Sequence, residues 1–166
     1  MRNFSLLVAF VIVLTLPVAA QVMVDAAHTV TINAQPLVAI SVGADVDILL
    51  TQPGNGNGNM SGVGTSTYSL TSNVANNKIS GYISDPAGVF PGGVSLRVRL
   101  ARPSAGGASV GLRLLSAGAG NATDLVINIP AIQESGLLMS YTARAPASTP
   151  PSYSEAREVT YTITGN

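Results

Sequence analysis

The fold class is decided by residues 94–100, which read Val-Ser-Leu-Arg-Val-Arg-Leu. Apolar side chains occupy every even position of this stretch, and polar side chains occupy every odd position. This period of two predicts a β-strand with one buried face and one hydrated face. The same alternation recurs along the chain in residues 29–33, 38–42, 46–50, 110–114, 125–129, 137–144 and 159–164, with shorter runs at 67–71 and 78–84.

Turn-forming residues separate these alternating stretches. Clusters of Gly, Pro, Asp and Asn are typical of turns between strands, and they occupy residues 85–88, 91–93, 103–107, 118–121 and 145–152. We therefore predict an all-β fold, an antiparallel β-sandwich of immunoglobulin-like or jelly-roll type with about ten strands. Residues 52–64 are rich in Gly and Asn, and we predict a flexible loop there rather than a phosphate cradle or a calcium turn.

The composition excludes several classes of function. Eight basic side chains balance eight acidic ones, so the chain carries no electrostatic footprint for nucleic acid or for an anionic membrane. One His and no Cys leave few ligands for a metal or haem centre. We therefore predict no nucleic-acid partner, no metal site and no cofactor.

The first twenty residues have the layout of a secretory signal peptide. A short basic start with Arg2 precedes an apolar run over residues 4–16, and small residues at 18–20 lie ahead of Gln21, an order typical of a cleaved signal. The apolar run is shorter than the roughly 20 residues of a membrane-spanning helix. We predict a signal peptide over residues 1–20, an N-terminal extension over 21–35 and a sandwich domain over 36–166. The mature protein is then secreted to the extracellular space or cell surface, with no membrane span.

The N-terminal extension carries apolar residues at every second position. Between Val22 and Leu50, His28 is the one polar residue in this phase, and a single strand of that length would extend about 95 Å. Pro36 and Gly43 are natural breaks. The extension either folds back as the first edge strand of its own sandwich or inserts as a donor strand into a neighbouring subunit. In the second case the subunit interface is the apolar comb, Val22, Val24, Ala26, His28, Val30, Ile32 and Ala34.

Four segments carry a resemblance to a known group of proteins. They are residues 27–32 (AHTVTI), 76–79 (NNKI), 122–126 (ATDLV) and 159–164 (VTYTIT). In these segments the chain resembles secreted bacterial proteins of fimbrial or spore-coat-U-like type. The resemblance implies a β-sandwich subunit of a surface filament that is assembled by strand complementation and has no catalytic residues. The partners it implies are copies of the same chain, with an assembly chaperone or an outer-membrane assembly factor beside them. The chain lacks the cysteine pair of the chaperone–usher members, which leaves the need for a dedicated chaperone open.

A few side chains suggest chemistry without the surroundings that the chemistry needs. Residues 107–111 (GASVG) match a nucleophile elbow, but that motif needs a strand-to-helix turn with an acid and a His further along the chain. Ser109 instead opens a predicted strand, and His28 precedes it. We interpret His28 as a polar residue at the rim of a groove, the alternative being a pH-sensitive subunit contact. Asp45 and Asp47 share one strand face and are interpreted as hydrated. The protein is therefore predicted not to be an enzyme.

Arginines form the one charged pattern on the predicted strands. Arg97 and Arg99, with Arg113 on another strand, predict a small basic patch on one sheet face. Its modest interpretation is pairing across strands with exposed carboxylates, each pair contributing under about 1 kcal/mol. The candidate partners are Glu134, Glu155 and Glu158.

Two functions remain open from the sequence. The first is a structural subunit of an extracellular, pilus-like filament that polymerises by donating its N-terminal strand. The alternative is a monomeric secreted adhesin or binding module that uses the loops at one end of the sandwich.

Overall fold

A computed structural model describes residues 29–53 and 59–165. The chain divides into two units, with the boundary between Asn33 and Ala34. The predicted signal peptide and most of the apolar comb, from Val22 to His28, lie outside the described residues. Over the two described ranges, no helix is long and apolar enough to cross a membrane.

The second unit is built from two antiparallel sheets, as the alternation predicts. One sheet has the order β1-β3-β9-β5-β7, with β2 also pairing with β3, and the other has the order β10-β4-β8-β6. The all-β prediction of an antiparallel sandwich with about ten strands is therefore confirmed. The strands of the described residues are β1 (Val38–Val42), β2 (Gln52–Pro53), β3 (Asn59–Ser72), β4 (Asn77–Ile83), β5 (Ser95–Leu100), β6 (Ala108–Ser109), β7 (Arg113–Leu114), β8 (Thr123–Ile129), β9 (Ile132–Pro146) and β10 (Val159–Gly165).

The core lies between the two sheets and follows the alternation of the strands. In β5 the even residues Leu96, Val98 and Leu100 are buried, while Arg99 is exposed. The same alternation places buried side chains on the inner faces of β3, β4 and β9. In β8 the consecutive residues Leu125 and Val126 are both buried, because the ladder with β4 is irregular there. Each fully buried aliphatic side chain contributes about 1.5–3 kcal/mol relative to exposure, so this core can stabilise the fold without disulfides. The members of the core cluster are Tyr68, Leu70, Ile79, Ile83, Leu96, Val98, Leu100, Leu115, Leu125, Val126, Ile129, Leu137, Met139 and Ala143.

The predicted loop over residues 52–64 is wrong at residues 52–53 and 59–64, while residues 54–58 lie outside the described residues. Gln52–Pro53 pairs with Ser61 and Met60, and Asn59 opens β3, which continues unbroken to Ser72. The ladder with β9 extends over the same residues and supplies partners for their backbone groups. Pairing of β3 with β9 therefore overrides the weak strand preference of Gly and Asn.

Two other predicted strands differ from the structure. Residues 29–33 belong to no strand. Residues 110–114 are not one strand, because Ser109 pairs in one sheet and Arg113 in the other. The chain crosses between the sheets at Gly111, whose φ of 89° is readily adopted by glycine.

Residues 44–50 form a strap across the inner face of β3. A Cβ atom added at Gly62 would lie 2.8 Å from Ile48 Cγ2 and nearer still to the Leu49 carbonyl oxygen. Val46, Ile48 and Leu50 are half-buried and alternate with exposed residues. The predicted alternation is thus present, but among the described residues the backbone of 45–50 joins no ladder. Glycine on β3 is what allows the strap to pass this close.

Candidate functional site

The apolar comb is described only at its C-terminal end. Val30 is 70% exposed and Ile32 is 90% exposed, and neither lies in a strand. Ala34 is also exposed. These residues therefore carry apolar side chains in a strand-like alternation without a strand around them. The other predicted interface residues, Val22, Val24, Ala26 and His28, fall outside the described residues.

Asn73 fixes the point at which the chain enters β1. Its Nδ2 donates to the Gln35 carbonyl oxygen at 2.7 Å, and its Oδ1 accepts from the Leu37 backbone N–H at 2.7 Å. The Asn73 backbone N–H also donates to the Leu37 carbonyl oxygen at 3.0 Å. Residues 35–37 are thus tied to the turn after β3. The strand alternation gives no sign of this role of Asn73, because its partners are more than thirty residues away in the chain.

Strand β10 is an edge strand of its sheet. It pairs with β4 from Val159 opposite Ile83 to Gly165 opposite Asn77, and among the described residues it has no second neighbour in the sheet. Edge strands present unpaired backbone N–H and carbonyl groups, which are a template for a further strand. At seven residues, β10 is long enough to pair with a strand of ordinary length.

A pair of tyrosines fixes β10 to the opposite sheet. The Tyr161 hydroxyl donates to the Tyr141 hydroxyl at 2.8 Å, and the Tyr141 hydroxyl donates to Met139 Sδ at 2.8 Å. Burial is the main reason that the pKa of each tyrosine is raised above its ordinary value. Both phenols therefore stay neutral at physiological pH. The bridge holds the free edge of β10 at a defined distance from β9.

Strand β1 is the edge of the other sheet, and β1 and β10 pack together on the same side of the sandwich. Val38 and Val42 of β1 lie directly opposite Ser72 and Tyr68 of β3, so they are on the same inner face of the sheet as these two residues. They are nevertheless 36% and 54% exposed. The inner side is therefore incompletely covered along this edge. We call this strip the β1–β10 seam, lined by Val38, Ile40, Val42, Val159, Tyr161 and Ile163.

Ser109 does not have the geometry of a nucleophile. It lies in the two-residue strand β6, and its hydroxyl donates to the Leu100 carbonyl oxygen at 2.6 Å. The chain continues from Ser109 into the crossing at Gly111, not into a helix. Asp45 and Asp47 are exposed on the strap. Among the residues that the structure describes, no group of three or more His, Asp or Glu side chains could hold a metal ion.

The predicted basic patch needs a correction in its membership. Arg113 is directly opposite Val98, whose side chain is in the core, so Arg113 is on the other face of the sheet from Arg97 and Arg99. It lines a shallow groove together with Lys78 and Asp124. Side chains directly opposite each other in an antiparallel pair share a face, and the sequence could not show which residue Arg113 would face.

Arg144 takes the place of Arg113 in the basic patch. It lies on β9 directly opposite Ser95, which has the same phase as Arg97 and Arg99. The predicted pairing of the patch with carboxylates is not seen in the described residues. Glu155 pairs with Arg157 at 2.9 Å, and Glu134 accepts hydrogen bonds from Ser104.

The Asp124 carboxylate belongs to a small polar cluster between β4 and β8. Ser80 Oγ donates to Asp124 Oδ1 at 2.7 Å, and Lys78 Nζ lies 3.3 Å from the same oxygen. The pKa of Asp124 is lowered, first by the Ser80 hydrogen bond and then by Lys78, against an opposing effect of burial. The cluster thus ties the two strands together across a partly exposed surface.

No family model, curated protein or solved structure matches this chain. The resemblance to fimbrial or spore-coat-U-like proteins therefore stays an interpretation of the sequence. The described geometry offers two features that a function can be built on: an exposed apolar segment ahead of β1, and the seam between two edge strands.

Proposed function

We propose that the protein is a structural subunit of an extracellular filament, in which the N-terminal extension of one copy adds as a strand to the β1–β10 seam of the next. The proposal rests most directly on the seam itself. Two edge strands lie side by side there, and side chains with the inner-face phase remain partly exposed. A further strand would pair with the free edge of β10 and cover the apolar side chains at the same time.

The alternation of the donor matches that of the acceptor. In the extension, Val30 and Ile32 alternate with Thr29 and Thr31. In β10, half-buried apolar residues alternate with threonines in the same way, from Val159 to Thr164. Paired strands keep apolar side chains on one face and polar side chains on the other. Over residues 29–32, a donated strand would therefore extend both faces of the sheet without burying a polar side chain.

The energy available from such a contact is a substantial fraction of the roughly 5–15 kcal/mol that stabilises a typical domain. Full burial of an aliphatic side chain contributes about 1.5–3 kcal/mol, so Val30 and Ile32 together would contribute on the order of 3–6 kcal/mol. Both are largely exposed. The backbone hydrogen bonds to β10 would add to this contribution.

Assembly in this way is head to tail. The donor surface and the acceptor surface are different parts of the chain, so each added copy leaves one free donor and one free acceptor. A heterologous contact that does not close into a ring gives an open filament. The predicted signal peptide supports export before assembly, and the protein is then structural rather than enzymatic.

The two faces of the extension allow a matched test. The variant Val30→Asp/Ile32→Asp places charges on the apolar comb, whereas Thr29→Asp/Thr31→Asp places the same charges on the alternate face. We expect the first variant to remain monomeric by size-exclusion chromatography and to form no fibres by electron microscopy. The second is expected to form fibres, because its charges would point to solvent. Deletion of residues 21–34 is expected to behave like the first variant.

Three results would contradict the proposal. They are fibres from the protein lacking residues 21–34, an equal effect of the two aspartate variants, and a wild-type protein that stays monomeric at high concentration. The last result would favour the monomeric adhesin.

A further inference from the structure

The outer face of the larger sheet carries three arginines in one cluster. Arg97 and Arg99 are two residues apart on β5, so their Cβ atoms are separated by about 7 Å. Arg144 on β9 is two residues from Thr142, the partner of Arg97, and such diagonal neighbours lie about 7–8 Å apart. We call this cluster the arginine face.

Nothing in the described part of the chain neutralises this charge. The ion pairs there are Lys78 with Asp124 and Arg157 with Glu155. Glu134 is the one acidic residue in the sequence of β3, β5 and β9. It lies beyond the bulge in β9, opposite Leu70 of the inner face. The Nε atom of Arg97 is buried and has no hydrogen-bond acceptor among the described residues. The arginine face is therefore a fixed concentration of positive charge in a chain of zero net charge.

The surroundings of the arginines are hydroxyl groups and exposed apolar side chains, with Leu114 of β7 directly opposite Arg97 and Val63 of β3 directly opposite Thr142. Ser140 of β9 lies between Arg99 and Thr65 of β3, and Ser61 of β3 lies opposite Arg144. The two tyrosines of these strands have the inner-face phase: Tyr68 is buried and Tyr141 is bonded to Tyr161. The outward positions of the three strands therefore carry no aromatic ring.

We infer that the arginine face binds an acidic polysaccharide through the carboxylate or sulfate groups of the polymer. Guanidinium groups form paired, charge-assisted hydrogen bonds with planar oxyanions, and serine and threonine hydroxyls donate to and accept from sugar hydroxyls. A nucleic acid fits less well, because single strands are held by stacking on aromatic side chains and duplexes by a wide basic surface. The inference does not depend on strand donation, since the face is complete within one copy.

The chain offers a matched control for the charge change. Arg99 and Arg144 are exposed arginines on the arginine face. Lys78, on β4 of the other sheet, and Arg113, on the opposite face of this sheet, line a separate groove. The variants Arg99→Gln/Arg144→Gln and Lys78→Gln/Arg113→Gln each remove two positive charges. Binding of the full-length secreted protein is measured on surfaces coated with polygalacturonate, dextran sulfate or neutral dextran, and with duplex DNA as a competitor.

We expect the wild-type protein to bind at least one of the two acidic polymers and not neutral dextran, with affinity falling as salt is added. Polygalacturonate and dextran sulfate distinguish a carboxylate ligand from a sulfate ligand. The Arg99→Gln/Arg144→Gln variant should bind on the order of tenfold more weakly, because two charge-assisted contacts are lost. The control variant should bind within about twofold of the wild type.

The inference is overturned by any of three outcomes. The first is the absence of binding to both acidic polymers, and the second is an equal loss of affinity in the two variants, which would indicate diffuse charge. The third is duplex DNA that competes for the protein as effectively as the polysaccharide does and that also binds the Arg99→Gln/Arg144→Gln variant more weakly. A protein that forms no fibres but binds as described would refute strand donation and leave the arginine face in place.

Discussion

The Gly62→Ala substitution tests how the strap is seated on β3. A methyl group at this position would lie 2.9 Å from the Leu49 carbonyl carbon and 2.8 Å from Ile48 Cγ2. Ordinary carbon contacts lie at about 3.5–4 Å. The strap must then move by roughly an ångström, and because backbone atoms are involved, no side-chain rotation can relieve the contact.

The loss of stability can be worked out for two ways in which the protein could accommodate the added methyl group. Overpacking a well-ordered contact costs about 1–3 kcal/mol. Release of the strap would instead lose the partial burial of Ile48 and Leu50, which together contribute about 2–3 kcal/mol. Alanine is intrinsically better than glycine in a strand by roughly 0.5 kcal/mol. We therefore expect the free energy of unfolding to fall by about 2 kcal/mol.

Urea unfolding followed by circular dichroism measures this change. The matched control is Gly120→Ala, since a Cβ atom there has nothing within 4 Å and is expected to change the stability by less than about 0.5 kcal/mol. A second control exploits Gly64, whose added Cβ would meet Val46 Cγ1 first. Val46→Ala should therefore partly rescue Gly64→Ala. Equal stabilities of the Gly62→Ala and Gly120→Ala variants would refute this placement of the strap.

Three further predictions concern buried or paired polar groups. Asn77→Ala should lower the free energy of unfolding, measured in urea, by about 2–3 kcal/mol. The reason is that the fully buried amide donates to Ser72 Oγ at 2.8 Å and to the Val74 carbonyl oxygen at 2.5 Å. A loss under about 0.5 kcal/mol would contradict this. Tyr161 has a raised pKa, mainly through burial. Its contribution to the free energy of unfolding is therefore fully present below about pH 10 and is lost as the pH rises further. Absorbance at about 295 nm should show its ionisation together with unfolding, and ionisation in the folded protein at the ordinary pKa would disprove the burial. Asp124 has a lowered pKa, so its contribution to the free energy of unfolding is present above about pH 4 and is lost on acidification. Asp124→Asn should lower the free energy of unfolding by only about 0.5 kcal/mol at pH 7, since the carboxylate is 42% exposed, and should not change it at about pH 2.

The strand alternation was sufficient to predict most of the sandwich. Residues 94–100 and 159–164 read as half-buried strands, and they are β5 and β10. The loop prediction for residues 52–64 failed for a physical reason. Gly62 and Gly64 are there for the close approach of the strap, whereas composition alone suggests flexibility. A glycine that avoids a clash and a glycine that confers mobility look the same in a sequence.

The seam and the arginine face depend on neighbours that a period of two cannot reveal. Alternation assigns each residue to a face of its strand but leaves the order of the strands open. Arg113 was predicted on the face of Arg97 and is on the opposite one, because it pairs with Val98. Arg144 joins the arginine face only through the register of β9 with β5. In the same way, β10 is recognised as an edge only when its sheet is complete.

Cross-linking between two populations of the protein tests strand donation most directly. The chain has no cysteine, so Thr31→Cys can be placed in one population and Thr162→Cys in the other. Thr31 lies on the polar side of the extension, and Thr162 is exposed on β10. The control acceptor is Leu114→Cys on β7, the edge strand on the far side of the other sheet.

Oxidation of the mixed populations is followed on non-reducing gels. The proposal predicts that Thr31→Cys forms a disulfide-linked dimer with Thr162→Cys and much less of one with Leu114→Cys. It is contradicted if the two acceptors give equal yields, or if a double variant with both Thr31→Cys and Thr162→Cys closes its disulfide within a single molecule at high dilution.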